Sequence, residues 1–191
     1  MTRDEAFQLM TEWTESESLR NHMLAVEAAM LFYADKFGED REKWAVVGLL
    51  HDMDYEKHPT PEEHPFVAVA HLEKIGVSSE ITRAILAHAS YSGVKAESLM
   101  EKTILAVDEL CGFITAVAYV RPGKSIMGMK VKSVKKKIKQ QGFARAVSRD
   151  DITNGAELLG LTLEEHIENV IEAMRAIAPV LGLAGTQTEN A

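Results

Sequence analysis

Trp44-Ala45-Val46-Val47-Gly48-Leu49-Leu50-His51-Asp52 is an apolar run that ends in a histidine and an aspartate. The run predicts a buried segment, and a buried carboxylate is costly unless a positive partner meets it. An imidazole and a carboxylate that are adjacent in the chain can both bind one metal ion. The stretch therefore predicts a metal site that side chains from elsewhere in the chain complete.

Apolar residues recur at spacings of three and four along almost the whole chain, and no stretch shows clear strand alternation. Serine, aspartate and threonine caps mark the starts of helices, and glycine or proline marks their ends. The predicted helices are 2–14, 16 or 18 to 38, 41–52, 64–75, 78 or 79 to 88, 97–120, 129–140, 148–159 and 162–177. The sequence therefore predicts an all-α fold of eight or nine helices.

The 191 residues suit one domain with a sizeable core. We expect that domain over 1–184, with a metal-binding core over 18–120, basic and capping helices over 121–184 and a disordered tail over 185–191. The single cysteine, Cys111, excludes an internal disulfide and a cysteine-based zinc site. No apolar run approaches the roughly 20 residues of a membrane span. The charged N-terminal residues lack a signal-peptide core, so we expect a cytoplasmic location.

Positive charge is concentrated in one part of this acidic chain. The net charge is −8, yet nine of the 21 Lys and Arg residues lie within 110–148, where there is no acidic residue. Such a block indicates a local anionic partner, and Arg121, Lys124 and Lys130 are candidates for binding a substrate phosphate. A solvated helix face is the alternative for the lysines. Nucleic-acid binding is not favoured, because the overall charge opposes it.

Two more polar residues, His22 and Asp108, lie in helices that are otherwise apolar nearby, and Glu109 is expected to face solvent. A helical bundle can bring these two side chains to His51 and Asp52. Nitrogen and carboxylate ligands without thiolate suit iron, manganese, nickel or zinc, and magnesium with more water. A lone helical histidine is more often a hydrogen-bonded core residue, so the argument rests on the ordered set.

The ordered set resembles the H…HD…D signature of the HD superfamily of metal-dependent phosphohydrolases. The matching residues are His22, His51, Asp52 and Asp108. The stretch 49–55 is similar to the HDIG-type motif, except that Asp54 and Tyr55 stand at its Gly and Lys positions. The resemblance covers roughly 18–120, and it implies an all-α, HD-domain helical bundle with a buried metal site.

The resemblance also implies the ligand set. One ion would be held by His22, His51, Asp52 and Asp108. Many members of the superfamily hold a second ion with further histidines, which His64 and His88 match in order and setting, whereas His58 and His71 match less well. The cofactor would be one or two divalent ions of Mn, Fe, Mg, Ni, Co or Zn.

The activity that the resemblance implies is hydrolysis of a phosphate ester in a small molecule, a nucleotide in our hypothesis, by a metal-bound hydroxide. Asp52, Asp54 and Glu56 are the candidate catalytic residues, the last two because their loop is expected to overlook the metal. A solvated loop is the alternative for those two. The alternative function is a non-catalytic module that binds metal and nucleotide, and a di-iron oxidase is a minor option. The oligomeric state stays open, with a homodimer as one option.

Overall fold

Helices are the only regular secondary structure within residues 1–185, the part of the chain that the computed structural model describes. The predicted all-α class is therefore confirmed. The helices are α1 (Arg3–Trp13), α2 (Glu17–Phe37), α3 (Arg41–Leu50), α4 (Phe66–Lys74), α5 (Ser79–His88), α6 (Leu99–Tyr119), α7 (Val131–Ile138), α8 (Arg149–Leu158) and α9 (Leu163–Ala176). Short 3-10 turns, Ser90–Ser92 and Pro122–Lys124, follow α5 and α6.

The start of α4 differs from the prediction. His64 and Pro65 do not open this helix, which begins at Phe66 with Pro65 at its N-cap position. Pro65 has no side chain that accepts a hydrogen bond there. Asp54 caps the helix instead, because its carboxylate accepts a hydrogen bond of 2.7 Å from the backbone N–H of Ala68. The loop after α3 is thereby tied to α4.

Helix α2 is central, and α3, α6 and α9 pack against it. Gly48 allows α3 to approach closely, since a Cβ atom there would lie 2.6 Å from the Cα of Glu27. The buried carboxylate of Glu27 accepts hydrogen bonds of 2.6 and 3.0 Å from Arg3, which meets its charge. Because Gly48 lies one turn before His51, this contact brings His51 beside α2.

The C-terminal helices are held by a second close contact and a buried hydrogen-bond chain. A Cβ atom on Gly155 would lie 2.7 Å from the Cα of Ala106, so α8 lies directly on α6. The hydroxyl of Tyr33 donates to Nδ1 of His166 at 2.7 Å, and Nε2 of His166 donates to the carbonyl of Ala106 at 2.9 Å. Burial lowers the pKa of His166. These contacts join α2, α6 and α9.

Helix α7 is shorter than the predicted 129–140 and packs against α6 and α9. Val134 is buried, whereas Lys132 and Lys136 are exposed and Lys135 pairs with Glu164 of α9. Of the predicted disordered tail, residues 186–191 lie outside the described part of the chain. Among the described helices, none combines the length and the apolarity that crossing a membrane requires.

Candidate metal centre

Three helices bring together a first cluster of side chains. It consists of His22 of α2, His51 at the end of α3 and Asp108 of α6, which we call the first triad. Nε2 of His22 lies 2.9 Å from Oδ1 of Asp108. Nε2 of His51 lies 3.3 Å from Nε2 of His22 and 3.6 Å from Oδ1 of Asp108. One metal ion can therefore contact all three side chains.

A second cluster lies beside the first. It consists of Asp52, His64 and His88, which we call the second triad. The two imidazole Nε2 atoms are 3.2 Å apart. Oδ1 of Asp52 lies 3.3 Å from Nε2 of His64 and 3.4 Å from Nε2 of His88. This geometry suits a second ion.

Asp52 faces both triads at once. Its Oδ1 belongs to the second triad, while its Oδ2 lies 3.6 Å from Nε2 of His51 and 3.7 Å from Nε2 of His22. A carboxylate in this position can bridge two ions of the kind found about 3.5–4 Å apart in two-metal sites. All six side chains that the sequence predicts as ligands thus lie in the two triads.

Hydrogen bonds at Nδ1, on the side away from the centre, orient three of the imidazole rings. Nδ1 of His51 and Nδ1 of His88 each donate to the backbone carbonyl three residues earlier, and Nδ1 of His64 donates to Oδ1 of Asp54 at 2.7 Å. In the neutral rings Nε2 therefore carries a lone pair that points to the centre. The Nε2 lone pairs of His64 and His88, which face each other at 3.2 Å, need a cation or a proton between them. The donor set therefore fits divalent metal ions.

The charges in the centre favour positive groups. Burial alone would lower the pKa of His51, but the carboxylates of Asp52 and Asp108 outweigh burial and raise this pKa to about 9. Burial likewise opposes ionisation of both carboxylates, yet the imidazoles of His51 and His22 hold the pKa of Asp52 and of Asp108 below their usual range. A proton or a metal ion can supply the positive charge that these carboxylates attract.

Asp54 lies behind the triads, and Glu56 lines a shallow hollow that His22 also lines. Asp54 is buried behind the second triad, where one oxygen accepts from His64 and the other from Ala68. Both oxygens are thus occupied, and Asp54 positions the ring of His64. Glu56 is exposed, and its carboxylate accepts two backbone N–H groups before α2 at 2.6 and 3.2 Å. The direct catalytic role predicted for these two residues stays a prediction.

The predicted phosphate-binding residues lie beyond the end of α6. Arg121 donates to a carbonyl of the following loop at 3.2 Å, Lys124 is exposed, and Lys130 lines a separate hollow beside α9. At about 1.5 Å per residue, the end of α6 lies about 16 Å along the helix from Asp108. The structure therefore does not bring these three residues to the triads.

The two weaker histidine candidates lie outside both triads. Nδ1 of His58 lies 3.0 Å from the carboxylate of Glu63. The ring of His71 packs against Trp13, with ring centres 4.7 Å apart. The preference for His64 over these two agrees with where the side chains lie.

A cavity of about 390 Å³ opens onto the metal centre. The rings of Tyr55 and Tyr91 form part of its wall, and the loop before α8 adds Val147. Glu109 and Asp151 also line it. None of the cavity-lining residues within 1–185 is a lysine or an arginine. The cavity is thus acidic apart from any ions that it holds.

The prediction that Glu109 faces solvent is wrong. It is half-buried on the cavity wall and accepts a 3.1 Å hydrogen bond from the backbone N–H of Ser148. Burial and the charge of Asp108 raise the pKa of Glu109 to about 7. Asp151, from the first turn of α8, was not predicted at all. A carboxylate on a helix surface carries no sequence signal of the cavity it faces.

Comparison with protein families matches residues 19–110 to the HD domain. This range contains all six triad residues and ends before α7 and α8, so the wall around Val147 and Asp151 lies outside it. Searches among curated proteins and among solved structures returned no match. HD domains are generally metal-dependent hydrolases, and the His and Asp side chains of the triads could hold a metal ion. Residues 19–110 therefore form an HD domain, the domain that the H…HD…D signature predicted.

Proposed function

We propose that this protein is a phosphohydrolase that uses two divalent metal ions to hydrolyse a small-molecule phosphate ester. One observation carries the proposal. The carboxylate of Asp52 presents one oxygen to each triad, so that two ions could share it. A single structural ion would need only one of these triads. When bound, such ions lower the pKa of a water ligand and offset phosphate charge.

The chain's own residues divide into holding, positioning and contacting roles. The six triad side chains hold the ions, and Asp54 fixes the ring of His64. The substrate reaches the centre from the cavity, on the side where His22 and Asp108 are 21% and 20% exposed. The other imidazoles are covered by protein, which keeps bulk water from them.

The charge of the cavity favours a substrate with one phosphate group. Glu109 and Asp151 line the wall, and the described lining residues include no lysine or arginine. Two ions can offset one phosphate together with the triad carboxylates. A second or third phosphate would lie against Glu109 and Asp151 without a cation to offset it. We therefore place nucleoside monophosphates and similar esters ahead of polyphosphates.

The test is turnover with defined metals. Protein purified without chelator is loaded in turn with Mn, Fe, Co, Ni, Zn or Mg and given mono-, di- and triphosphate esters. We expect phosphate release from monophosphates with at least one metal, and its loss in His51→Ala and Asp52→Asn. His58→Ala is the matched control, because His58 lies outside both triads. No release with any metal, or unchanged release in both triad variants, would contradict the proposal.

The same experiment separates the alternative of a non-catalytic module. In that case the protein would bind metal, as elemental analysis would show, and a nucleotide would raise its melting temperature. No metal would then give phosphate release. Binding with turnover supports the enzyme, whereas binding without turnover supports the module.

A further inference from the structure

A groove leads away from the metal centre between α2 and the C-terminal half of α6. It shares His22 and Gly112 with the cavity described above, so the two spaces adjoin. Its volume is about 210 Å³. Asn21 and Thr115 form its sides, and Tyr119 stands at its outer end.

The glycine at position 112 indicates that this groove binds a ligand. A glycine inside a helix is destabilising relative to alanine, so it usually answers a local need. Gly48 and Gly155 have that need, because a Cβ on either would lie within 3 Å of another helix. Apart from its two chain neighbours and the backbone of its own helix, a Cβ on Gly112 would meet no atom of residues 1–185 within 4 Å, and its backbone is ordinary helix. Neither packing nor backbone conformation within the described chain therefore requires this glycine.

The position of Gly112 explains why a glycine is present there. It lies one turn after Asp108 on the same face of α6 as Thr115 and Tyr119, at spacings of four, three and four. It therefore stands at the junction between the cavity and the groove, both of which it lines. A side chain here would narrow the junction, and glycine leaves it open for a ligand that spans both spaces.

The walls of the groove define the class of ligand. Apart from His22 at the junction, no described residue that lines it has an ionisable acid or base near neutral pH. Asn21 offers both hydrogen-bond donors and an acceptor, as the edge of a heterocyclic base requires. Tyr119, which is 49% exposed, offers a ring face for stacking, and Leu181 and Leu183 form an apolar side. The run from Asp108 to Tyr119 spans about 16 Å along α6, enough for a sugar and a base in series.

We propose that this groove binds the nucleoside part of the substrate, with the phosphate at the metal centre and the base between Asn21 and Tyr119. The inference rests on the proposed function for the phosphate end only. It adds a binding site outside the triads and a substrate class, namely the monophosphate of an uncharged nucleoside. The leaving group of the hydrolysis is then the nucleoside, which departs along the groove.

Nucleoside binding tests the groove without any turnover. Adenosine, guanosine, cytidine and uridine are titrated into metal-free protein by calorimetry. We expect at least one to bind, and Gly112→Leu and Tyr119→Ala to weaken that binding about tenfold or more. Gly142→Leu is the matched control, because a Cβ there also meets open space and Gly142 lines neither the groove nor the cavity. Melting curves of all variants show whether each one is folded.

The outcomes separate this inference from the proposed function. If no nucleoside binds, or if Gly112→Leu binds as tightly as the wild type, the groove has another role and the inference is wrong. With metal-loaded protein, Tyr119→Ala, which lies outside the cavity, should lower kcat/KM about tenfold more for the nucleoside monophosphate than for glycerol phosphate, which has no base. Nucleoside binding without phosphate release would overturn the proposed function and leave the groove assignment standing.

Discussion

The two triads offer the same kinds of ligand, but they differ in how they are enclosed. In the first triad the side chains of His22 and Asp108 are 21% and 20% exposed, whereas His64 and His88 of the second triad are 3% and 4% exposed. A buried carboxylate, Asp54, supports the second triad from behind. Both triads line the cavity, but only the first also lines the groove, through His22. We infer that the second triad holds its ion as part of the fold, and that the first exchanges ligands.

Asp52 joins the two triads, so its replacement should have the largest effect. In Asp52→Asn the neutral amide keeps the shape but removes the charge that both ions would share, and we expect kcat to fall about a thousandfold or more. The bound metal, measured by elemental analysis, should fall at both sites together. Asp150→Asn, an exposed change on α8, is the control. Loss of one ion with the other retained at full affinity would show that Asp52 belongs to one triad only.

The first triad should bind metal with a strong pH dependence. The pKa of His51 in the metal-free protein is raised to about 9, so at pH 7 this ring carries a proton that a metal ion must displace. Affinity should therefore rise about tenfold per pH unit from 7 to 9 and then level off. Competition with a coloured chelator at pH 7, 8 and 9 measures this, and a flat profile would contradict it.

The raised pKa of His51 also predicts how the stability of the metal-free protein depends on pH. Because the pKa of His51 is raised from 6.5 to about 9, protonation stabilises the folded state, and this stabilisation is fully present below pH 6.5. It is lost as pH rises through about 9. Melting curves of metal-free protein should thus show falling stability between pH 7 and pH 10, and His51→Gln should remove that fall.

The variant Asp54→Asn tests whether Asp54 orients the ring of His64 in the second triad. The amide can still cap α4, but it can present an N–H group to Nδ1 of His64, which would favour the wrong tautomer. We expect metal affinity at the second triad, or activity, to fall about tenfold or more. The first triad should keep its affinity, since Asp54 contacts none of its members. An equal loss at both triads would mean that Asp54 supports the whole fold.

The helices and the six triad residues follow from local sequence, whereas their surroundings do not. Histidine and aspartate within apolar helical stretches are costly unless they bind something, so residues such as His22 and Asp108 are conspicuous. Asp54 could not be distinguished from an exposed loop carboxylate, because its burial depends on the remote N–H of Ala68. Glu109 likewise lies on a cavity wall that α8 helps to form, and α8 lies on α6 through the close contact at Gly155.

Charge pattern was the least informative signal. The lysines of 130–139 identify a solvent-facing helix surface, but nothing in their spacing tells which other surface lies nearby. The structure packs their helix, α7, against α6 and α9, while the cavity is lined by carboxylates. A sequence predicts which residues are unusual in their own helix. It does not predict which long-range contact gives an ordinary residue its position.

The smallest expected effects are changes in the free energy of unfolding at two glycines near the first triad. Gly112 lies on its open side, and Gly48 lies at a packed helix contact. Gly112→Ala should raise the free energy of unfolding by roughly 0.5–1 kcal/mol, because alanine favours the helix and its Cβ meets no described atom within 4 Å. Gly48→Ala should lower the free energy of unfolding, since its Cβ would lie 2.6 Å from the Cα of Glu27 and would push α3, and with it His51, away from His22. Urea unfolding of both variants without metal measures the two signs. If Gly112→Ala is also destabilised, Gly112 serves packing, and the first triad is not open on that side.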